Sequence, residues 1–132
     1  MPDMTAVQAA SLWSGLLVLL LVLLSVRVVM ARRSHRVLLG DGGVAQVTLA
    51  GRVFGNAAEY IPAGIAALAL LALLGMPVMA IHIIGGLLLA GRVVHAVSLS
   101  DKRPTAGRVA GMALTFLALI GAGSMLVVHA FV

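Results

Sequence analysis

The chain has no cysteine, so disulfides, thiolate metal sites and cysteine nucleophiles are all excluded. Charge is sparse, with nine Lys and Arg and four Asp and Glu among 132 residues. Aromatic residues are rarer still: one Trp, one Tyr and three Phe. A net charge of +5 would raise nucleic acid as a partner for a soluble chain. Here the basic residues sit between apolar spans and aromatics are few, so the positive-inside rule is the simpler reading and no nucleic acid is expected. What fills the chain is apolar, with 62% hydrophobic residues and a mean hydropathy of +1.17. A soluble domain of this length cannot hide that much apolar surface, whereas runs of about 20 apolar residues cross a bilayer as helices. The expected fold is all-α and integral to the membrane, a single four-helix domain covering 1–132.

The first helix is expected over 6–30. Its centre, Leu16 to Leu24, is apolar on every side, as suits a lipid-facing helix. It is too long for a signal-peptide core and has no basic residue before it, so it reads as part of the mature protein. Trp13 near its start suits the headgroup level. The loop Leu39-Gly40-Asp41-Gly42-Gly43 is ordinary turn chemistry. The second helix spans 44–74, long enough to project beyond the hydrocarbon. Gly75-Met76-Pro77 makes a tight uncharged turn into a third helix over 78–99. Ser100 to Pro104 leads into the fourth, over 105–130, with Pro104 or Thr105 at its start.

All the Lys and Arg residues lie in or beside the first and third connections, and the second has none. Short-loop charge bias then puts loops one and three in the cytoplasm of a bacterial inner membrane and both termini opposite. That rule accounts for Arg32, Arg33, Arg36, Lys102 and Arg103, but not for the polar groups further in. Arg52, Asn56 and Glu59 are spaced i, i+4, i+7, which stacks them on one helical face. Glu59 lies roughly 10 Å deeper than Arg52, and an ionisable group at that depth normally faces a bundle interior or a wet cavity. Pro62 leaves the carbonyl of Ala58 without its helical donor. On the third helix Arg92 and His95 share a face, and Arg108 opens the fourth. The topology brings Arg52, Arg92, His95 and Arg108 to similar depth. It implies a basic cavity of three arginines, with Asn56 and Glu59 behind them as its amide and one buried carboxylate. A small polyanion that also carries an amine fits such a cavity. The structural alternative is that the arginines snorkel to headgroups and Glu59 pairs with one of them.

The run Arg52-Val-Phe-Gly-Asn56-Ala-Ala-Glu59-Tyr60-Ile-Pro62 resembles the second-helix signature of the MAPEG family, the membrane-associated proteins in eicosanoid and glutathione metabolism. Gly91-Arg92-Val-Val-His95-Ala96 is similar to that family's third-helix motif, and Arg108-Val-Ala-Gly111-Met112 to its fourth-helix start in short bacterial members. The likeness covers nearly the whole chain. It implies a homotrimer of four-helix protomers that binds glutathione as co-substrate near the cytoplasmic face, between neighbouring protomers. Arg52, Asn56, Glu59, Tyr60, Arg92 and His95 would hold the tripeptide, and Arg108 would be the catalytic residue that stabilises its thiolate. Glutathione suits the residues themselves, since it offers two carboxylates, an ammonium and a thiol. The chain departs from the family at Leu99, where many of its enzymes carry a tyrosine, and Arg27, Arg32 and Arg33 are equal candidates for the family's helix-one arginine.

Three functional readings follow. The first is a glutathione transferase or peroxidase acting on a lipophilic electrophile that arrives through the bilayer. The second is a membrane protein that binds glutathione or another anion without turnover. The third is a small proton-coupled transporter using Glu59. His82 and His129 could ligate a haem, though interfacial or core positions are the plainer reading. No metal site is expected. Gly107 with Gly111, and Gly85, Gly86 and Gly91, read as surfaces for close helix approach, and Met76, Met79, Met112 and Met125 as gap-fillers.

Overall fold

Four apolar runs become four helices, each long and apolar enough to cross a membrane. They are α1 (Ala6–Ser34), α2 (Ala45–Leu73), α3 (Val78–Ser98) and α4 (Ala106–His129). The computed structural model describes residues 4–99, 103 and 105–132. Asp3 and most of the third connection, including Asp101 and Lys102, lie outside the described residues.

Each helix begins and ends for a local reason. The hydroxyl of Thr5 accepts from the Gln8 N–H at 3.2 Å, and the Gln8 side chain accepts from the Thr5 N–H at 2.9 Å. This reciprocal cap satisfies two of the first-turn donors of α1. At its other end α1 runs one turn beyond Met30, where Arg32 and Arg33 suit the negative end of the helix dipole. In the following loop the Asp41 carboxylate accepts from the Gly43 N–H at 3.0 Å and the Thr48 hydroxyl at 2.9 Å. These bonds hold its pKa below the usual aspartate value and tie the loop to the first turn of α2. Gly75, at φ +72°, makes the turn between α2 and α3 in a backbone region open to glycine. Thr105 caps α4 by accepting from the Arg108 N–H at 3.2 Å, while its own hydroxyl donates to the Ser98 carbonyl. That bond holds the end of α3 beside the start of α4.

The helices pack as two central and two flanking elements. Among the described residues α1 and α4 do not meet, and α2 and α3 stand between them. Leu17 and Leu24 of α1, Ile61, Leu68 and Leu71 of α2, Ile81 and Leu88 of α3, and Ala118 and Ala122 of α4 form the core. Small residues set the closest approaches. A Cβ on Gly111 would lie 2.6 Å from the His95 backbone nitrogen and 2.8 Å from the Gly91 carbonyl oxygen, so α3 and α4 touch backbone to backbone. Trp13 does not stand free at the headgroup level. Its indole fills a notch left by Gly85 and Gly86, where a Cβ on Gly85 would collide with the ring. There its Nε1–H donates to His82 Nδ1 at 3.0 Å. The remaining large side chains, such as Leu19, Val22, Leu117 and Ile120, are exposed and make the lipid-facing surface.

Candidate functional site

The polar residues of α2 occupy one face because their spacing follows the helical repeat. Arg52, Gly55, Asn56 and Glu59 line an open groove of about 250 Å³ on that face. Arg52 and Glu59 are exposed and Asn56 is half-buried. Directly behind lies Arg92 of α3, only 1% exposed. Its Nη2 donates to Asn56 Oδ1 at 2.9 Å, and its guanidinium carbon stands 5.4 Å from the centroid of the Tyr60 ring, within cation–π range. Tyr60 in turn meets Phe116 of α4 edge-on, with centroids 5.8 Å apart. The layers are therefore reversed from the sequence expectation. The carboxylate of Glu59 is on the outside and an arginine is on the inside.

Burial leaves Arg92 incompletely matched. One donor reaches Asn56, but the buried Nε and Nη1 have no hydrogen-bond partner. A buried guanidinium in this condition costs several kcal/mol relative to a matched one, of order 3 for a lost partner. The Arg92–Asn56 bond also orients the amide of Asn56, which lines the groove with Arg52 and Glu59.

The other expected residues sit nearby in different settings. His95, one turn beyond Arg92, is buried at 3% exposure where its backbone packs on Gly111. Arg108 is half-buried in the first turn of α4. The structure thus joins Asn56, Tyr60 and Arg92 by direct contacts and places Arg52 and Glu59 on the adjoining groove. Arg52 lines the α2 groove, Arg92 is buried behind it and Arg108 lies in the first turn of α4. Leu99, at the C-terminal cap of α3, lines a separate groove of about 590 Å³ with Arg27, Gln46 and Val53. Of the three helix-one candidates, Arg27, itself exposed, lines this groove, whereas Arg32 and Arg33 line another at the end of α1.

Two participants were missed in the sequence. Phe116 supports Tyr60, and Thr115, fully buried, donates from Oγ1 to the Gly111 carbonyl at 2.8 Å. The second could have been read from its position one turn after Gly111. The first has no signal in the sequence, since its contact depends on how α4 crosses α2. The histidines considered for haem lie apart in role. His82 is engaged by Trp13, and His129 lines a groove with Leu70, Leu73 and Leu126.

Comparison with known proteins agrees with this arrangement of motifs. A family model described as "MAPEG family" matches residues 10–128. Two curated relatives, each called "Inner membrane protein YecN", come from Escherichia coli K12 and Escherichia coli O6:H1. Each is 38% identical over 113 residues, covering 86% of this chain and 86% of the relative. No solved structure matches.

Proposed function

The chain belongs to the MAPEG family and is an integral inner-membrane protein, and from that premise we propose that it binds glutathione and uses it against lipophilic electrophiles. The observation that carries the reading is Arg92, buried behind the α2 groove with one bond to Asn56 and two unmatched nitrogens. It fixes an amide between an exposed cation, Arg52, and an exposed anion, Glu59. A zwitterionic peptide has both partners for that pair: a carboxylate for Arg52 and an ammonium for Glu59.

Arg108 supplies the chemistry. A thiol with a pKa of about 8.5 is mostly protonated near neutral pH, and an adjacent guanidinium favours the thiolate. The thiolate sulfur forms a bond to an electrophilic carbon, and the electron pair leaves with the displaced group or opened ring, which takes a proton from water. An electrophile dissolved in the bilayer reaches this end of the bundle without crossing bulk water. The exposed position of Arg52 and Glu59 suits a site completed by a neighbouring protomer in a homotrimer, with loops one and three in the cytoplasm where glutathione is available.

Calorimetric titration of glutathione tests this. Wild type should bind, Glu59→Gln should bind at least ten-fold more weakly, and Arg108→Ala should keep most of the binding while losing ultraviolet thiolate absorbance and turnover. No heat with wild type ends the proposal. Binding without conjugation of any standard electrophile assigns the chain to the non-catalytic reading. Leu99, which stands where many enzymes of the family carry a tyrosine, supports that reading.

A further inference from the structure

The last turn of α1 and the residues that follow it carry a second basic feature, on the side of the helix away from Arg27. Val29, Arg32, Arg33, Arg36, Val37 and Leu38 line a groove of about 470 Å³. It contains three guanidiniums and no carboxylate. The neighbouring acid, Asp41, accepts from the Gly43 N–H and the Thr48 hydroxyl and lies close enough to Arg32 for their charges to interact. Arg32 is partly committed too, since its Nη1 donates to the Leu38 carbonyl at 3.4 Å. Arg33 and Arg36 are exposed and left to meet whatever enters.

Two further observations bear on the occupant. The spacing of Val22, Val26, Val29 and Arg33 is four, three and four residues, which stacks them in one stripe along α1, and Arg36 follows in the turn that closes the helix. The three valines are 54%, 46% and 49% exposed, so the groove continues as an apolar track about 10 Å further down the helix. Arg36 itself has a φ of +54°, alone among the described non-glycine residues. Its N–H bonds to the Arg33 carbonyl and the Val37 N–H to the Arg32 carbonyl, the pattern that closes helices with a glycine at this place. Glycine would make the turn with less strain, and the arginine there adds a cation to the groove. Leu38 and Leu39, at 92% and 89% exposure, project beside it as an apolar rim.

We propose that this groove is a binding site for an anionic phospholipid, its phosphate held between Arg33 and Arg36 and one acyl chain lying along Val29, Val26 and Val22. The continuous apolar track selects an amphiphile over a soluble anion. The lack of any carboxylate disfavours a headgroup that carries its own ammonium. This groove shares no residue with the α2 groove.

Native mass spectrometry of the full chain released from nanodiscs of equal phosphatidylglycerol and phosphatidylcholine tests the assignment. Wild type should retain phosphatidylglycerol at least ten-fold over phosphatidylcholine. The double variant Arg33→Gln/Arg36→Gln should lose that preference, and Arg103→Gln, in the third connection, should keep it. Arg36→Gly guards against misfolding, since it relaxes the turn: it should raise the thermal midpoint while reducing selectivity several-fold. Equal retention of the two lipids by wild type overturns the proposal. So does an equal loss in Arg103→Gln, which would make the effect one of general basic charge. Displacement of the lipid by millimolar inorganic phosphate assigns the groove to a soluble anion and also overturns it.

Discussion

At the end of the bundle where α3 begins, the polar side chains Trp13 and His82 satisfy one another inside a notch cut by Gly85 and Gly86. At the opposite end, the buried guanidinium of Arg92 has one partner and two unmatched nitrogens, and Arg52 and Glu59 stand exposed on α2. Both ends contain polar groups in a membrane-spanning chain, and both use glycine to bring helices together. Only the first end is complete within one chain. In the first the polar groups satisfy one another, and in the second they stand unmatched or exposed.

That contrast can be broken by substitution. The largest effect is expected for Trp13→Ala, which empties the glycine notch and leaves His82 without its donor. It should cost about 3 kcal/mol of stability, at the lower end for a large aromatic because the ring is only half-buried. Thermal unfolding in a fixed detergent measures it, with glutathione affinity expected to stay within a factor of two or so. A stability loss under about 1 kcal/mol would show that the two ends are not different in kind.

Gly111→Ala comes next, placed where α3 and α4 meet near the charged end. The added Cβ meets backbone atoms of His95 and Gly91, which cannot swing aside as a side chain can. About 2 kcal/mol should be lost. Because His95 and Arg92 move with that backbone, glutathione binding should fall as well, and isothermal titration together with thermal unfolding checks the coupling.

The smallest stability change, and the sharpest test, is Arg92→Met. An apolar side chain of similar length removes a poorly matched buried charge, so stability should hold or rise by about 1 kcal/mol. Asn56 loses its orienting donor, and glutathione affinity should fall at least ten-fold. A substitution that stabilises the fold and abolishes binding is the signature of a residue kept for the site. Parallel loss of both would instead make Arg92 a structural element like Trp13.

Much of this molecule is readable from the chain. The scarcity of charge over four long apolar runs sets the number of spans, since an apolar helix has no other stable place. The i, i+4, i+7 spacing sets Arg52, Asn56 and Glu59 on one face, because the helical repeat is local geometry. Cap residues and glycines set the helix ends to within a turn; α1 outran its expected end because arginines are well placed beside terminal carbonyls. Which residues of that face are buried is a different kind of fact. Position along a helix gives depth in the bilayer, but burial depends on which neighbour lies against the face. Only the packing of α3 on α2 put Arg92 inside and Glu59 outside, and only the glycine notch turned Trp13 from the headgroups onto His82. The sequence by itself determined four spans, a basic end and the polar face of α2. The tertiary structure decided which of its arginines is buried and unmatched, because that depends on contacts between residues far apart in the chain.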